Sequence, residues 1–288
     1  MLKHKTPLFL GVFYPYIVRE VFWDILDRFL IDYFVKGAIA GASKTQMCRT
    51  FQRDHGWTDE ELESVLKLID FKKKPKKIDY SYFNNLPFKE KAQRIPFPFT
   101  QMYVQEDFLS QEECDKLIEF IEEGLAPSTV ADKNDTGLVS SYRTSSTANL
   151  HFLDDEFYLE IDKKITGYMG IEPFLGESLQ AQKYKPTQYY KEHCDFFDPM
   201  TKEFKVYCEW MGQRTWTAMV YLNDVESGGE TYFKFLKKSF QPKRGMLLLW
   251  NNLYKNGIPN FKTMHEALPP VSGNKYVITK WFRSWSLI

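Results

Sequence analysis

The stretch WTAMVYLNDVESGGETYFKF, residues 216–235, decides the fold class. Two runs rich in aromatic and aliphatic residues flank the turn signals Asn-Asp and Gly-Gly, a pattern that predicts two short strands joined by a turn. Similar runs, each bounded by turn residues, occupy residues 179–184, 246–250 and 276–285. Many short strands with glycine-rich turns predict a closed or sandwiched antiparallel β fold.

A helical pattern precedes this β region. Apolar residues recur at steps of three and four along residues 17–33, which predicts an amphipathic helix, and two shorter helices are predicted around Gly56. We therefore divide the chain into a small helical N-terminal region of unassigned role, residues 1–92, and a mainly β domain with flanking helices, residues 93–288. The two shorter helices, followed by the lysine-rich run at 72–77, would also suit a helix-turn-helix module with a basic tail. The alternative is an ordinary helix pair followed by a solvated linker.

One helix is predicted inside the second domain. Ser110 and Glu113 form a capping-box pattern ahead of an apolar helix face, and Gly124 is placed to end that helix. Residues 81–99 show no apolar period, so we predict a connection there, and the polar stretch at residues 127–146 has too little apolar content for a core element.

The composition narrows the class of partner. The 288-residue chain has 38 Lys+Arg and 38 Asp+Glu, so its net charge gives no general reason to expect nucleic acid or an anionic membrane as partner. Charged residues interrupt the apolar segments near the N-terminus and no signal-peptide cleavage site follows them, so we expect a soluble cytoplasmic protein. The four cysteines include no Cys-x-x-Cys pair and are expected to be reduced thiols.

Two histidines and an aspartate suggest a metal site. His193 and Asp195 are two residues apart in an extended segment, so their side chains project from the same face of a strand. His265, near the start of another apolar run, would complete the facial triad of non-heme iron oxygenases, which leaves coordination positions open for substrate and dioxygen. The alternative for a single His-x-Asp is an ordinary surface pair.

Lys275 is a candidate anion-binding residue. A lysine in a buried β-run is costly unless an anion neutralises it. A dicarboxylate such as 2-oxoglutarate could chelate iron through its 1-carboxylate and 2-keto oxygens, while its far carboxylate pairs with the Lys275 ammonium. The alternative is an exposed turn lysine that follows Gly273.

The ordered motifs of the C-terminal part resemble a known family. They are YKPTQYYKEHCD at 184–195, RTWTAMVYLNDVESGGET at 214–231, PKRG at 242–245, HEALP at 265–269 and GNKYVITKWFR at 273–283. In this order and at these spacings they resemble the prolyl 4-hydroxylase family of Fe(II)/2-oxoglutarate dioxygenases. The resemblance covers roughly residues 99–284 and begins with DFLSQEEC at 107–114 and RTSS at 143–146. Residues 1–92 match no family that we recognise.

The resemblance implies a double-stranded β-helix, or jelly roll, with an iron site at the mouth of the barrel. The implied iron ligands are His193, Asp195 and His265. It further implies that Lys275 binds the distal carboxylate of 2-oxoglutarate and that Tyr184 and Thr217 stand where the family places further co-substrate donors. Fe(II), with 2-oxoglutarate and dioxygen as co-substrates and ascorbate as a reductant, is the implied cofactor set.

Other positions bear on the substrate. Arg143 falls on the segment that in such enzymes helps to cover a peptide substrate, and the alternative is a solvated loop arginine. Thr187 replaces a glycine that is usual in the family and Tyr276 replaces a tryptophan, and both changes leave the metal and co-substrate positions intact. The aromatic segment 196–213 could form a flap over the site or pack as ordinary surface.

The implied activity is hydroxylation of an unactivated C–H bond of peptidyl proline, with release of succinate and CO2, so a peptide or protein is the expected partner. The triad does not encode the acceptor, and a free amino acid, peptidyl lysine or nucleic acid stay as alternatives. Nucleic acid is disfavoured because the demethylases typically anchor the co-substrate through arginine. A metal-binding or oxygen-sensing module without turnover is the non-enzymatic alternative. The oligomeric state is not predicted.

Overall fold

The computed structural model describes residues 78–130, 138–139, 141–149 and 156–285. The helices predicted between residues 1 and 77, and the helix-turn-helix alternative, lie outside these residues. Residues 78–92 contain a short helix, α1 (Tyr80–Asn84), and a 3₁₀ turn (Pro87–Glu90). The Phe88 side chain is fully buried against Trp216 of the β domain. The domain boundary at residue 92 stays a prediction.

The other described elements are three α-helices, two 3₁₀ turns (Pro173–Leu175 and Phe261–Thr263) and fourteen strands. The helices are α2 (Gln111–Glu123), α3 (Glu156–Met169) and α4 (Lys202–Met211). The strands are β1 (Gln93–Phe97), β2 (Thr100–Gln105), β3 (Ala126–Pro127), β4 (Thr129–Val130), β5 (Leu138–Val139), β6 (Ser146–Asn149), β7 (Gln180–Tyr184), β8 (Tyr190–His193), β9 (Arg214–Tyr221), β10 (Thr231–Phe233), β11 (Lys238–Phe240), β12 (Leu247–Asn251), β13 (His265–Ala267) and β14 (Lys275–Arg283).

Two antiparallel sheets form the body of the described domain. The larger sheet has eight strands in the order β1-β2-β12-β9-β14-β7-β6-β3, and the smaller has four in the order β11-β10-β13-β8. From β7 onwards the chain passes repeatedly between the sheets, so that β7, β9, β12 and β14 lie together in one sheet and β8, β10, β11 and β13 form the other. This alternation is the topology of a double-stranded β-helix, so the fold class predicted from the sequence is confirmed.

Strand β9 explains why the sequence pattern of residues 216–222 is apolar without alternation. Trp216 and Val220 belong to the core between the larger sheet and the helices, whereas Met219 and Tyr221 belong to the core between the two sheets. A strand that is buried on both faces needs apolar residues at successive positions. The larger sheet is therefore the middle layer of the domain.

Helix α2 has the ends that the sequence predicts. The Ser110 side chain accepts from the Glu113 backbone N–H, the Glu113 carboxylate accepts from the Ser110 backbone, and Gly124 is the C-cap residue. Cys114, Leu117 and Ile121 form its buried face. The capping box fixes where the helix starts, and the buried face fixes how it packs on the sheet.

The connection predicted at residues 81–99 contains a strand, so that prediction is wrong, and the polar stretch at residues 127–146 holds only short peripheral strands. Residues 81–99 include β1, an edge strand whose Pro96 pairs in register with Gln101, and edge strands tolerate proline and polar residues. Residues 127–146 include the edge pairing of β3 with β6 and the isolated pair β4–β5. These strands are short or peripheral, so they contain too few residues to show a hydrophobic period.

A buried ion pair connects α3 to the larger sheet. Lys280 of β14 is fully buried and its ammonium pairs with Asp162 of α3. The same ammonium donates to the Glu177 backbone carbonyl at 2.7 Å.

In the described part of the chain, no helix is both long enough and apolar enough to cross a membrane.

Candidate metal centre and co-substrate site

The pairing of β8 with β13 brings two histidines together. His193 and His265 are direct partners in the antiparallel register of these strands, so their imidazoles lie side by side at the edge of the smaller sheet. Asp195 follows two residues after His193. Its Oδ1 is 3.8 Å from His193 Nε2 and 4.0 Å from His265 Nε2, and the ligand atoms of the three residues all lie within 4.8 Å of one another.

Hydrogen bonds fix which imidazole nitrogens face this point. His193 Nδ1 lies 2.8 Å from the Lys191 carbonyl and His265 Nδ1 lies 2.9 Å from the Thr263 carbonyl. A carbonyl can only accept, so each Nδ1 carries the proton and each Nε2 keeps its lone pair free. Both histidines are therefore held in the tautomer that binds a metal through Nε2.

The electrostatics of the three side chains also suit a divalent cation. Burial, reinforced by the neighbouring His265, lowers the pKa of His193 to about 3, so its imidazole is neutral at physiological pH. Burial alone would raise the pKa of Asp195, but the two histidines and the Arg214 guanidinium outweigh it and lower the pKa. Two imidazoles that present Nε2 and a carboxylate, converging on one point, fit Fe(II) in a two-histidine, one-carboxylate site.

Thr217 holds the Asp195 carboxylate in place. Its hydroxyl donates to Asp195 Oδ2 at 2.6 Å and accepts from Asn252 Nδ2 at 2.9 Å, and all three residues are buried. Oδ1 is thus left to face the histidines. The co-substrate role of Thr217 stays a prediction. Asn252 was not predicted, because its contact with Thr217 joins residues 35 positions apart.

Aromatic rings form the walls beside the ligands. The Tyr190 ring stacks on His193 with centroids 3.6 Å apart, and the Phe233 ring stacks on His265 at 5.1 Å. The Trp250 and His265 rings meet edge to face, with centroids 5.0 Å apart. These rings fix the orientation of both imidazoles and exclude water from their sides.

Lys275 lies inside the barrel at the start of β14. Its side chain is 1% exposed, so the alternative of an exposed turn lysine is wrong. The ammonium is 3.4 Å from Thr231 Oγ1 and lies over the rings of Tyr184 and Tyr221, at 5.2 and 5.5 Å from their centroids. Among the described residues, no carboxylate forms an ion pair with it. Burial lowers the pKa of Lys275 to about 7, which the nearby Glu230 opposes.

Tyr184 and Arg143 lie next to this lysine pocket. Tyr184 pairs with Lys275 in the register of β7 and β14, and burial raises the pKa of its phenol. Arg143 is 8% exposed, so the alternative of a solvated loop arginine is wrong. Its guanidinium donates to Thr147 Oγ1 and Gln180 Oε1 at 3.2 Å and lies 4.9 Å from the Tyr190 ring centroid. The predicted roles of Tyr184 and Arg143 in binding stay predictions.

Comparison with known proteins identifies the family. The sequence model described as the 2OG-Fe(II) oxygenase superfamily matches residues 179–283, a span that contains the three candidate ligands and Lys275. Prolyl 4-hydroxylase 1 of Arabidopsis thaliana is 33% identical over 199 residues, which are 64% of this chain and 69% of that protein. The chain belongs to the prolyl 4-hydroxylase family.

Other relatives extend the comparison. Prolyl 4-hydroxylase subunit alpha-2 of Gallus gallus is 32% identical over 202 residues, which are 68% of this chain and 36% of that protein. Probable prolyl 4-hydroxylase 7 of Arabidopsis thaliana is 31% identical over 201 residues, 63% of this chain and 62% of that protein. This chain therefore spans less than two thirds of the length of these two relatives. The viral collagen prolyl hydroxylase of Paramecium Bursaria Chlorella virus-1, solved as a 2OG complex, is 28% identical, with 64% of this chain and 95% of that chain covered and a TM-score of 0.49.

This prolyl 4-hydroxylase family member also has a buried charge cluster behind Asp195. Arg214 makes a bidentate pair with Glu177 at 2.6 and 2.7 Å, and Arg283 pairs with the same carboxylate at 2.6 Å. Burial would raise the pKa of Glu177, but the two guanidiniums lower it to about 2. Arg214 Nη1 also donates to the Asp195 carbonyl at 3.3 Å, so the cluster braces the ligand backbone. Its members come from three distant segments, so sequence reasoning did not find it.

The aromatic segment 196–213 is packed against this charge cluster. The Phe197 ring stacks on Tyr207 of α4 at 4.9 Å and lies under the guanidiniums of Arg214 and Arg283. Gln213 accepts from the Phe197 N–H at 2.8 Å and donates to its carbonyl at 2.6 Å. These contacts favour packing over a free flap for the start of the segment.

Proposed function

We propose that this chain is an Fe(II)- and 2-oxoglutarate-dependent dioxygenase that hydroxylates peptidyl proline. The observation that carries the proposal is the joint presence of a complete His193, Asp195 and His265 set and a buried cation, Lys275, in the same barrel. Bound at this site, iron with 2-oxoglutarate and dioxygen would supply the oxidising power, with substrate hydroxylation matched by release of succinate and CO2.

The residues of the chain have separate tasks in this proposal. The two imidazole Nε2 atoms and Asp195 Oδ1 would hold the metal. The hydrogen bonds at the two Nδ1 atoms and at Asp195 Oδ2 keep these three side chains oriented before the metal binds. The Lys275 ammonium would neutralise the distal carboxylate of 2-oxoglutarate, while Tyr184, across the strand pair, lines the same pocket. The apolar rings around His265 would keep the reacting centre dry.

Family membership supports a peptidyl proline as the acceptor. The relatives reported above are named prolyl 4-hydroxylases, and the identities to them are 31–33%. A free amino acid, peptidyl lysine or nucleic acid would need a different surface around the same chemistry, so the acceptor is the least constrained part of the proposal. A module without turnover is disfavoured because a degenerate site would be expected to have lost at least one of the four residues.

The test compares acceptors under one set of conditions. Succinate release is measured for the protein loaded anaerobically with Fe(II) and 2-oxoglutarate, with proline-rich peptides, lysine peptides, free proline or methylated oligonucleotides added, after dioxygen is admitted. The proposal expects stimulation by the proline-rich peptides and hydroxyproline in the product by mass spectrometry. His265→Ala should abolish it, whereas Lys164→Met, a partly exposed lysine of α3 paired with Glu113, should not. Stimulation by another acceptor alone would reassign the substrate, and no release with any acceptor would reject the enzyme.

A further inference from the structure

A pocket lies between the free edges of the two sheets. Strand β1 is an edge of the larger sheet and β11 is an edge of the smaller one, and no described strand pairs with their outer sides. The pocket between them has a volume of about 380 Å³, which is within the usual range for small-molecule sites. Neither the candidate metal ligands nor Lys275 line it. We call it the edge pocket.

The floor of the edge pocket is apolar. Val104, Phe240 and Met246 line it and are buried members of the core between the sheets, and the half-buried Ile95 of β1 packs against that core. The hydrophobic layer between the sheets therefore reaches the surface at this place. An apolar group bound here would extend the core and leave water.

The rim of the edge pocket is cationic. The Lys238 ammonium lies 5.6 Å from the centroid of the Phe240 ring, so a positive charge lies over the floor. Lys243 is the second rim lysine, and no aspartate or glutamate lines the pocket. Lys243 pairs with Glu106 at 3.0 Å, but both side chains are half exposed, so solvent screens the pair and a second anion can still bind the ammonium.

An apolar floor beneath cations selects an amphipathic anion. An aliphatic chain would cover the floor, while a single carboxylate at its end would meet the two ammonium groups. A diacid such as 2-oxoglutarate does not fit this pattern, because its second carboxylate would lie on the floor without a partner. The edge pocket and the Lys275 pocket therefore favour different acids.

We propose that the edge pocket binds an aliphatic monocarboxylate of medium length, such as a fatty acid. The proposal does not depend on the proposed function. The bound acid would lie behind the metal centre and not in it, because the Phe240 ring meets Phe233 edge to face at 5.8 Å and Phe233 in turn stacks on His265.

The test titrates the full chain with octanoate and follows binding by calorimetry. The dissociation constant should fall about fourfold for each methylene added from hexanoate to octanoate, because each one that reaches the floor leaves water. Octanedioate, which has a carboxylate at both ends, should bind about tenfold more weakly than octanoate. Saturating 2-oxoglutarate should leave the affinity for octanoate unchanged.

Two variants locate the bound acid. Lys238→Met/Lys243→Met removes both rim charges and should weaken octanoate binding about fivefold, a modest factor because both lysines are exposed. The matched control is Lys164→Met/Lys262→Met, which removes two exposed lysines elsewhere and should bind normally. Ile95→Glu places a carboxylate at the floor and should abolish binding. The rim variant changes only exposed side chains, so it decides the result if Ile95→Glu does not fold.

Three results would overturn the proposal. The first is equal octanoate binding by wild type and the rim variant. The second is displacement of octanoate by 2-oxoglutarate, which would place the acid at Lys275. The third is a dimer, seen by sedimentation, that octanoate dissociates, because the pocket would then belong to an interface with a second copy. All of these are measured without iron or turnover, so a failure of the proposed function would be seen separately, as absent hydroxylation.

Discussion

At the residue scale, each candidate ligand is oriented through the atom that does not face the metal position. The Nδ1 atoms of His193 and His265 donate to backbone carbonyls, and Asp195 Oδ2 accepts from Thr217. Because these partners belong to the strands or to the turns beside them, ligand geometry is set when the barrel folds. The residues that support the ligands can therefore be substituted while the ligands themselves are kept.

Replacing Thr217 by valine should weaken metal binding and leave the fold intact. Valine nearly matches threonine in shape but cannot donate, so the buried Asp195 carboxylate loses its bond at Oδ2. Loss of such support typically lowers metal affinity roughly 10- to 100-fold. Calorimetric titration with anaerobic Fe(II), or with Mn(II), measures the change. Thr166→Val removes a buried hydroxyl of α3 that bonds the Asp162 carbonyl and is the control. Unchanged affinity for Thr217→Val would show that the bond does not orient the ligand.

Lys275→Met should have opposite effects on stability and on co-substrate binding. The buried ammonium lacks an ion-pair partner among the described side chains, so methionine should raise the unfolding free energy of the ligand-free protein. The affinity for 2-oxoglutarate should fall about a hundredfold or more, because a buried charge pair is lost. Thermal unfolding and calorimetry measure the two effects, with Lys164→Met as the control. A variant that binds 2-oxoglutarate normally would place the anion site elsewhere.

The affinity for 2-oxoglutarate should also depend on pH. Burial lowers the pKa of Lys275 to about 7, whereas a bound carboxylate favours the charged form, so binding takes up a proton above that pH. The dissociation constant should therefore rise as the pH is raised from 7 to 9, and Lys275→Met should lose most of this dependence. In the ligand-free protein, a rise in pH has a favourable effect on folding stability through the same lysine. Between pH 7 and the ordinary lysine pKa the unfolded chain binds more protons, so this group's contribution to the unfolding free energy grows as pH rises.

At the scale of elements, the contact of α3 with β14 depends on a charge pair in an apolar layer. Lys280→Met would remove the cation that pairs with the buried Asp162 carboxylate, which should cost roughly 3–5 kcal/mol of unfolding free energy. The Asp162→Leu/Lys280→Met double variant should recover most of that loss, because two apolar side chains can replace a buried pair. Denaturant unfolding measures both. A single variant as stable as wild type would mean that the pair contributes nothing to the packing of α3.

The elements differ in how far the sequence predicts them. Residues 216–222 and the capping box of α2 are determined by local composition, and both were predicted at close to their observed bounds. Helix α3 was not predicted, although Ile161, Ile165 and Met169 recur every four residues on its buried face. Strand β1 could not be predicted, because its contacts come from the neighbouring strand and its own side chains are largely exposed.

At the scale of the whole molecule, metal binding should stabilise the fold. The ligands come from β8, β13 and the loop after β8, so an ion that binds all three is bound only by the folded chain. Free metal at a hundred times its dissociation constant should add about 2.7 kcal/mol and raise the melting temperature. His265→Ala should lose this response. An equal response in that variant would mean that the stabilising ion binds at another place.

The site shows where sequence reasoning ends at this scale. His193 and Asp195 could be paired from their spacing, because alternate residues of a strand share a face. The side of His265 that faces them follows from the β8–β13 register, and the cluster of Glu177, Arg214 and Arg283 follows from contacts across the larger sheet. No local sequence pattern predicts the facing of His265 or the formation of this cluster. Family resemblance supplied the metal ligands, but it did not supply the side chains that support them.

The two ends of the proposed co-substrate site belong to different sheets. The histidines are on the smaller sheet and Lys275 is on the larger one, and the side chains of the core between them, among them Phe233, Tyr221 and Val277, keep the sheets apart. The packing of this core therefore sets the distance between the metal position and Lys275, and with it the length of the 2-oxo diacid that can contact both. We expect a chain one methylene shorter or longer than 2-oxoglutarate to meet either the metal or the lysine, but not both, unless the spacing of the sheets changes. Selectivity among such acids is in this sense a property of hydrophobic packing and not only of the polar groups that touch them.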